Sequence, residues 1–497
     1  MAYIGIDLGT TFSAVAVIDE TGRPKILHNK EGGNITPSCI LITGNNTVDV
    51  GEEARKGYGL DPNVAARFKR KMGTNETYEI MGKTFTPTEL SGFVLKKLFS
   101  DAQNAIGEVK EAVVTIPANF SHEARDATMQ AAKLAGLNVK YIINEPTAAA
   151  LYYAYKNDEE LAGIYAVYDM GGGTFDISII HINGHNIDVL ATNGVSRLGG
   201  DDFDAAIQKI AQEKYKLATG EDLESEDYTK NDAENEKKSL SKKEKTSARA
   251  NRKHIDISRR EFEESISSLI AQAEMLCESS IHEADISLTD IKGVLLVGGS
   301  TRMPVVLDSI KRVFGIEPIS SANVDEVVAL GAALYAAYKS DKEHLSPLQK
   351  NAINKIKVGE TTSKCFGTIS VSDENATGQE RLTNSVLIRK GESIPCSVTE
   401  SFFTIQENQQ TVNCQVTESS SPETDPKFVR VIWSGKLKLP ENRPEGQEIK
   451  ITFSYDENQM MKCSFEDVET NAITGVDLSF STGNESESQG VDKFLVE

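Results

Sequence analysis

The stretch Asp169-Met-Gly-Gly-Gly-Thr-Phe-Asp176 constrains this chain more than any other. Apolar residues lead in (Ile164-Tyr-Ala-Val-Tyr168) and follow (Ile177-Ser-Ile-Ile180), which predicts a strand, a tight turn and a second strand. Three consecutive glycines leave the turn without side chains and let it adopt positive φ. Bare N–H groups can then close on an anion. Asp169 and Asp176 flank the turn, and Thr174 adds a hydroxyl. Two carboxylates beside phosphate oxygens need a cation between them, which points to a nucleotide phosphate bridged by Mg²⁺ with a water shell. A glycine-rich hairpin with solvated acids is the alternative. The chain repeats the plan at Tyr3-Ile-Gly-Ile-Asp7-Leu-Gly9-Thr10-Thr11-Phe-Ser13-Ala-Val-Ala-Val17. An internal repeat implies a duplicated architecture, and two such hairpins facing each other would clamp a triphosphate.

Taken in order, residues 3–43 alternate around Gly and Asp/Asn turns, which predicts an antiparallel meander. Lys69-Arg-Lys-Met-Gly73 reads by itself as a solvated basic run. Residues 86–106 predict an amphipathic helix and Ala112–Pro117 a buried strand. Ser121 caps the next helix, and Pro146 opens another just after Glu145, a further carboxylate at the mouth of the sheet. Gly199 and Gly200 precede a helix, where a phosphate contact or a plain helix start would both suit them. Residues 219–253 are charged and helix-prone, and a helix is expected over about 259–282. Ile291–Pro304 reads as a strand feeding a Gly298-Gly299 turn, and Asp325 precedes a small-residue helix. Residues 349–363 read as a linker. Beyond it short alternating strands predict an all-β sandwich over 364–482, with 483–497 a polar tail.

Composition narrows the partners. The 497 residues carry 53 basic against 74 acidic side chains, net −21. That balance argues against nucleic acid and against anionic membrane surfaces. A strand starting at residue 3 leaves no room for a signal peptide, so a cytoplasmic location is expected. The longest apolar stretch, Val327 to Tyr338, is too short to span a bilayer. Six widely spaced cysteines, with no CxxC pair, read as reduced.

Three stretches together resemble the signatures of the seventy-kilodalton heat-shock chaperones, the DnaK family: Ile6–Ser13, Val167–Ile177 and Leu295–Pro304. Asn144–Ala150 and Leu198–Asp204 match as well, and Leu387–Pro395 with Phe402–Gln409 is similar to the family's β substrate domain. The resemblance implies an actin-like, two-lobed α/β ATPase domain over 1–348, followed by the β sandwich. It implies ATP/ADP and Mg²⁺ as cofactors, with K⁺ a further candidate. Asp7, Gly9, Thr10, Thr11 and Phe12 would hold the first phosphate loop; Asp169, Gly171, Gly172, Gly173, Thr174 and Asp176 would hold the second. Lys69 becomes the catalytic lysine near the γ-phosphate, against the solvated reading. Glu145, with Asp7 and Asp169, would order the metal through waters. Gly199, Gly200 and Asp201 would contact the nucleotide. Glu234, Lys237, Lys238 and Ser241 would form the adenosine side, closed by Gly298, Gly299, Ser300, Arg302 and Asp325. Pro117 and Arg125 match positions that relay the ATP state. In the β domain, Phe402, Ile405 and Val412 would line a peptide groove.

The departures bear on coupling. Ile356-Lys-Val-Gly-Glu360 lacks the family's leucine-rich linker, Tyr141 stands where the family offers an Arg to J-domain partners, and no long helical lid follows the sandwich. Three functions therefore compete. The first is an ATP-driven chaperone of unfolded clients, working with a J-domain co-chaperone and a nucleotide exchange factor. The second is an actin-fold sugar or acetate kinase, and the third a regulatory ATP-binding relative with little client binding.

Overall fold

The computed structural model describes residues 2–44, 46–157, 161–183, 186–251, 253–320, 323–354, 356–372, 381–457, 460–477 and 490–497. The chain divides into two compact units, Met1–Val358 with Glu487–Glu497, and Gly359–Ser486.

The first unit is mixed α/β and carries the repeat as two sheets built alike. In one, strand Ala2–Asp7 lies between Val109–Ile116, which it pairs in parallel, and Phe12–Ile18, which it pairs antiparallel. In the other, Ala162–Met170 lies between Ile291–Val297, parallel, and Phe175–Asn183, antiparallel. The expected meander is thus correct for Ala2–Asp7, Phe12–Ile18 and Pro24–Leu27. Cys39–Thr43 instead joins a separate sheet with Thr47–Val50 and Val64–Ala66.

Helices Glu145–Lys156 and Val327–Lys339 pack into one core with residues of both main sheets. Small side chains allow the approach. A Cβ on Gly331 would stand 1.7 Å from the Ala148 carbonyl oxygen, and one on Gly5 would stand 2.1 Å from the Ala333 nitrogen. Gly331→Ala must therefore part the two helices. We expect a loss of at least about 2 kcal/mol of stability, in the range of core overpacking, read as a lowered thermal midpoint; an unchanged midpoint would show that the helices yield freely. Helix Pro87–Ile106 starts on a capping box between Thr86 and Glu89 with Pro87 in its first turn. Ser121 caps His122–Leu134 as its position implies.

Four expectations are corrected. Residues 219–253 are not helical throughout: helix Lys230–Leu240 gives way to the hairpin Lys245–Ala250/Lys253–Ser258. Its inward positions include the small Ala248 and Ala250, so the two-residue alternation is faint in hydropathy. The expected linker is structured. Ser346 and Gln349 cap helix Pro347–Ile353, Ile353 and Ile356 are buried, and Lys357–Thr361 is a strand. Finally, the polar tail fails where it can be described. Residues 483–489 lie outside the described residues, but Val491 and Phe494 are buried in the first unit, and Leu495–Val496 pairs in parallel with Thr47–Val50. Val491, Phe494, Leu495 and Val496 close a stretch otherwise made of Gly, Asn, Ser, Gln, Lys and acids, so the composition of 483–497 as a whole reads as polar. The helix expected over 259–282 is interrupted at Ile266, which separates Arg259–Ser265 from Ser267–Glu283.

The second unit is all β. Two four-stranded antiparallel sheets share one core, with Phe366, Val416 and Leu437 from one meeting Ile451, Phe453 and Phe465 from the other. Ring pairs Phe366–Tyr455 and Trp433–Phe465 join the sheets at centroid distances of 5.3 and 5.8 Å.

Candidate functional site

Both glycine turns open onto one cavity of about 520 Å³ in the first unit, a volume suited to a nucleotide-sized ligand. The turns touch each other. A Cβ on Gly172 would come within 1.8 Å of Thr11 Oγ1, and one on Gly173 within 2.5 Å of Thr10 Cγ2 and Arg70 Nε. None of Gly171, Gly172 and Gly173 has positive φ. The turn needs glycine because the opposing hairpin lies against it, and the expectation of left-handed backbone there is wrong. Gly298 does take φ +81°, and a Cβ there would stand 2.5 Å from the Met170 carbonyl oxygen.

The sheets deliver the acids. Asp7 ends Ala2–Asp7 and accepts from Thr115 Oγ1 at 3.0 Å. Asp169 and Asp176 face each other across the hairpin register. Asp7, Asp169 and Glu145 all line the cavity, whereas Asp176 lies buried behind it. Burial, followed by repulsion from Glu145, pushes Asp7 up to about 7. Burial, with Glu145, Asp176 and Asp7 adding to it, holds Asp169 well above the carboxylate range. Lys69 answers this charge. It sits on the turn Phe68–Lys71, is 4 % exposed, and donates to Glu145 at 2.5 Å. A solvated basic run is excluded for it.

Of the other expected contacts, Gly9, Thr10, Thr11, Phe12, Gly171, Gly172 and Thr174 line the cavity, and Gly173 and Gly199 lie behind it. Gly199 lies against the second turn, where a Cβ would stand 2.8 Å from Gly172 O, and the residues after it bond to that turn: Gly200 N donates to Gly171 O at 3.0 Å and Asp201 N to Gly172 O at 2.7 Å. Across the cavity stand Gly200, Asp201, Glu234, Lys237, Lys238 and Ser241, with Gly298, Gly299, Ser300, Arg302 and Asp325 on the remaining side. Lys237 pairs with Asp204 at 2.7 Å and donates to Gly200 O. Burial nonetheless raises Asp204 to about 6. Arg302 pairs with Asp325 at 2.7 Å, and Ser300 donates to Gly171 O at 2.8 Å.

Sequence reasoning missed the residues that bridge the cleft. Arg55 pairs with Glu234 at 2.8 Å and covers the Phe12 ring; Arg67 pairs with Asp201 and Arg70 with Asp202, both at 2.7 Å. Burial opposes ionisation of Glu234, but Lys238 and Arg55 hold it near 2. Ile35, Val324 and Val328 supply an apolar part of the lining. No local pattern marks these residues, since each gains its role from a partner far along the chain.

The residues fit a metal-bound nucleotide. Three repelling carboxylates line one wall, the Thr11 hydroxyl is buried without a partner, and open space stands over Gly171. Among the described residues no three His, Cys, Asp or Glu could hold one ion directly, so a cation here would be held through waters.

A family model described as Hsp70 protein matches residues 3–81 and 74–495. The chain belongs to the Hsp70 family. Hsp70 proteins are ATP-binding chaperones and ATPases that use Mg²⁺, and they generally bind unfolded clients and co-chaperones. Among the described residues no helix is long and apolar enough to cross a membrane.

In this Hsp70 protein the other expected positions take distinct settings. Pro117 opens a turn, its carbonyl accepting from Phe120 N, and Arg125 is buried, donating to the Phe120 and Ala118 carbonyls. Tyr141 lies under the Lys339 ammonium at 5.0 Å. In the second unit Phe402 and Val412 are partly buried against the core, while Ile405 is 40 % exposed. Cys414 and Val416 are core residues.

Proposed function

We propose that this chain is an ATP-driven chaperone: an actin-like ATPase unit hydrolyses Mg²⁺–ATP, and the sandwich binds extended apolar segments of unfolded proteins. The observation that carries the reading is the buried Lys69–Glu145 pair, set among Asp7, Asp169 and two opposed glycine turns. Bound Mg²⁺–ATP would supply a phosphoryl group whose transfer to water spreads negative charge over its oxygens. The glycine-turn amides, Thr10 and Thr11 hold phosphate oxygens. Asp7 and Asp169 keep the metal's waters in place, and Glu145 with Thr174 orients water for attack. Lys69 meets the charge that develops in the transition state, and Asp176, behind Asp169, adds to the negative charge that a metal would answer. No protein nucleophile is required. Glu234, Lys237, Lys238, Ser241 and Arg302 form the adenosine end.

On the sandwich, Ile405 and Val412 flank a groove that takes peptide main chain by hydrogen bonds and one apolar side chain in a pocket. Single-turnover hydrolysis and fluorescence anisotropy with a leucine-rich peptide, both on the full chain, test the two halves. We expect micromolar peptide binding that Val412→Phe abolishes while leaving the melting curve of the protein unchanged. A regulatory relative with little client binding is the second reading. It is favoured by Tyr141, whose ring is already engaged by Lys339 and offers no ion pair to a J-domain. Hydrolysis without peptide binding, and without J-domain stimulation, would establish that reading.

A further inference from the structure

The segment 490–497 occupies a seat in the first unit that nothing in the nucleotide reading explains. Val491 and Phe494 are its buried anchors, and Val496 is partly buried, while Asp492, Lys493, Leu495 and Glu497 face outward. The Phe494 ring meets Phe85 and Phe93 edge-on at 5.9 and 5.2 Å, and the Lys83 ammonium stands 4.8 Å from its centre. Lys96 Nζ donates to the Val491 and Phe494 carbonyls at 3.0 and 2.9 Å. Main-chain bonds complete the hold: Leu495 N to Asn46 O, Glu497 N to Val48 O, and Val50 N to Glu497 O, all at 2.9–3.0 Å.

A 3-10 turn at Val491–Lys493 seats the first anchor, and the contacts of Leu495–Glu497 are those of an added strand. Cys39–Thr43 pairs with Thr47–Val50 on one side and Val64–Ala66 on the other, so Leu495–Val496 adds a fourth strand at the outer edge of a three-stranded sheet. Main-chain bonds along an edge plus pockets for alternating side chains is how sheets accept peptides. The sequence places the segment after the whole second unit, so the chain leaves the first unit and returns to it here. We propose that residues 490–497 are a detachable internal ligand, and that their seat between Thr47–Val50 and helix Pro87–Ile106 is a peptide-binding site. The class it takes is a short segment that opens on one 3-10 turn, Val491–Lys493, and ends extended at Leu495–Val496, with apolar anchors spaced as Val491 and Phe494. Gly92 floors the seat, since a Cβ there would press on Val491 at 3.3 Å.

The seat adjoins the cleft. Helix Glu52–Lys56 follows Thr47–Val50 directly and carries Arg55 to Glu234; Arg67 follows Val64–Ala66 and reaches Asp201. Emptying the seat should therefore loosen the bridges and speed nucleotide release, a consequence that rests on the nucleotide reading.

The test deletes 490–497 and adds a labelled peptide, Gly-Val-Asp-Lys-Phe-Leu-Val-Glu. The shortened protein should bind it saturably and the full chain should not. A peptide with Asp in place of Phe should bind about 30-fold more weakly or worse, as loss of a central buried anchor requires. Release of labelled ADP should be several-fold faster in the shortened protein and slowed again by the peptide. Absence of peptide binding by the folded shortened protein overturns the proposal, as does equal binding by the full chain. Peptide binding with unchanged ADP release would uphold the seat and overturn only its coupling to the cleft, whereas failure of either protein to bind ADP at all would count against the nucleotide reading alone. Should the shortened protein not fold, Phe494→Ala in the full chain decides: amide exchange at 47–50 should rise while the second unit stays protected, and unchanged exchange at 47–50 overturns the assignment.

Discussion

Lys69→Ala should lower single-turnover ATP hydrolysis by about 100- to 1,000-fold, the effect of removing one preorganised charge contact from a transition state, while nucleotide affinity falls far less. The side chain is almost wholly buried, and Glu145 lies 2.5 Å from its Nζ. Its positive charge is therefore fixed in a water-poor site before the reaction begins. Such a charge counts most when the negative charge it faces grows, which is during phosphoryl transfer and not during binding. One competing account is structural: Lys69 merely offsets Glu145, and the mutant suffers from an uncompensated buried carboxylate. The double variant Lys69→Met with Glu145→Gln tests that account in one direction, because it removes both charges and with them the role proposed for Glu145; the melting midpoint of Lys69→Ala reads the buried, uncompensated carboxylate separately. Recovery of hydrolysis in the double variant would make Lys69 a partner of Glu145 only. A rate near wild type for Lys69→Ala would remove it from the chemistry altogether.

The site was legible where its chemistry is written locally. Asp169, Thr174 and the glycines sit within one turn, Asp7 and Thr11 within its repeat, and both turns do face one cavity. The reason given for the glycines was not legible. Their need comes from Thr10 and Thr11 pressing on Gly172 and Gly173, which is a tertiary fact. Lys69 shows the same limit, since a lysine in a basic run looks solvated until Glu145 is placed beside it. Arg55 and Arg67 went unnoticed because their partners, Glu234 and Asp201, belong to the other half of the cleft. The segment 490–497 was misread because edge pairing depends on main chain, and its few apolar residues stand among Asp492, Lys493 and Glu497 at the end of a polar run. The hairpin over 245–258 was hidden likewise, its inward face including alanines that carry little hydropathy.

Chelating Mg²⁺ should weaken ATP binding on the order of 100-fold, about 2.7 kcal/mol. Without a cation the phosphates would approach Asp7, Asp169 and Glu145 with Lys69 as the positive charge nearest those acids, and like charges at such distances cost several kcal/mol even in a partly screened site. Calorimetry with and without EDTA reads the difference directly; undiminished binding would show that these acids do not serve a metal. The same cluster sets a pH dependence for the protein without nucleotide. Asp7 rises from 3.8 to about 7 on folding, chiefly by burial and next by Glu145. Between those values the folded state holds a proton that the unfolded state has lost. Stability is then greatest below about 4 on this account and declines as pH rises towards 7. Asp169, raised for the same reasons, adds to the decline. A bound cation reverses the sign of the environment, because it favours the ionised acids. Thermal melts at constant ionic strength should therefore show a midpoint that falls from pH 5 to pH 7.5 without ligand, a fall that Asp7→Asn reduces and that saturating Mg²⁺–ATP removes. If the unliganded wild type and Asp7→Asn share one profile, Asp7 does not carry this proton, and the case for a metal held beside it loses its electrostatic ground.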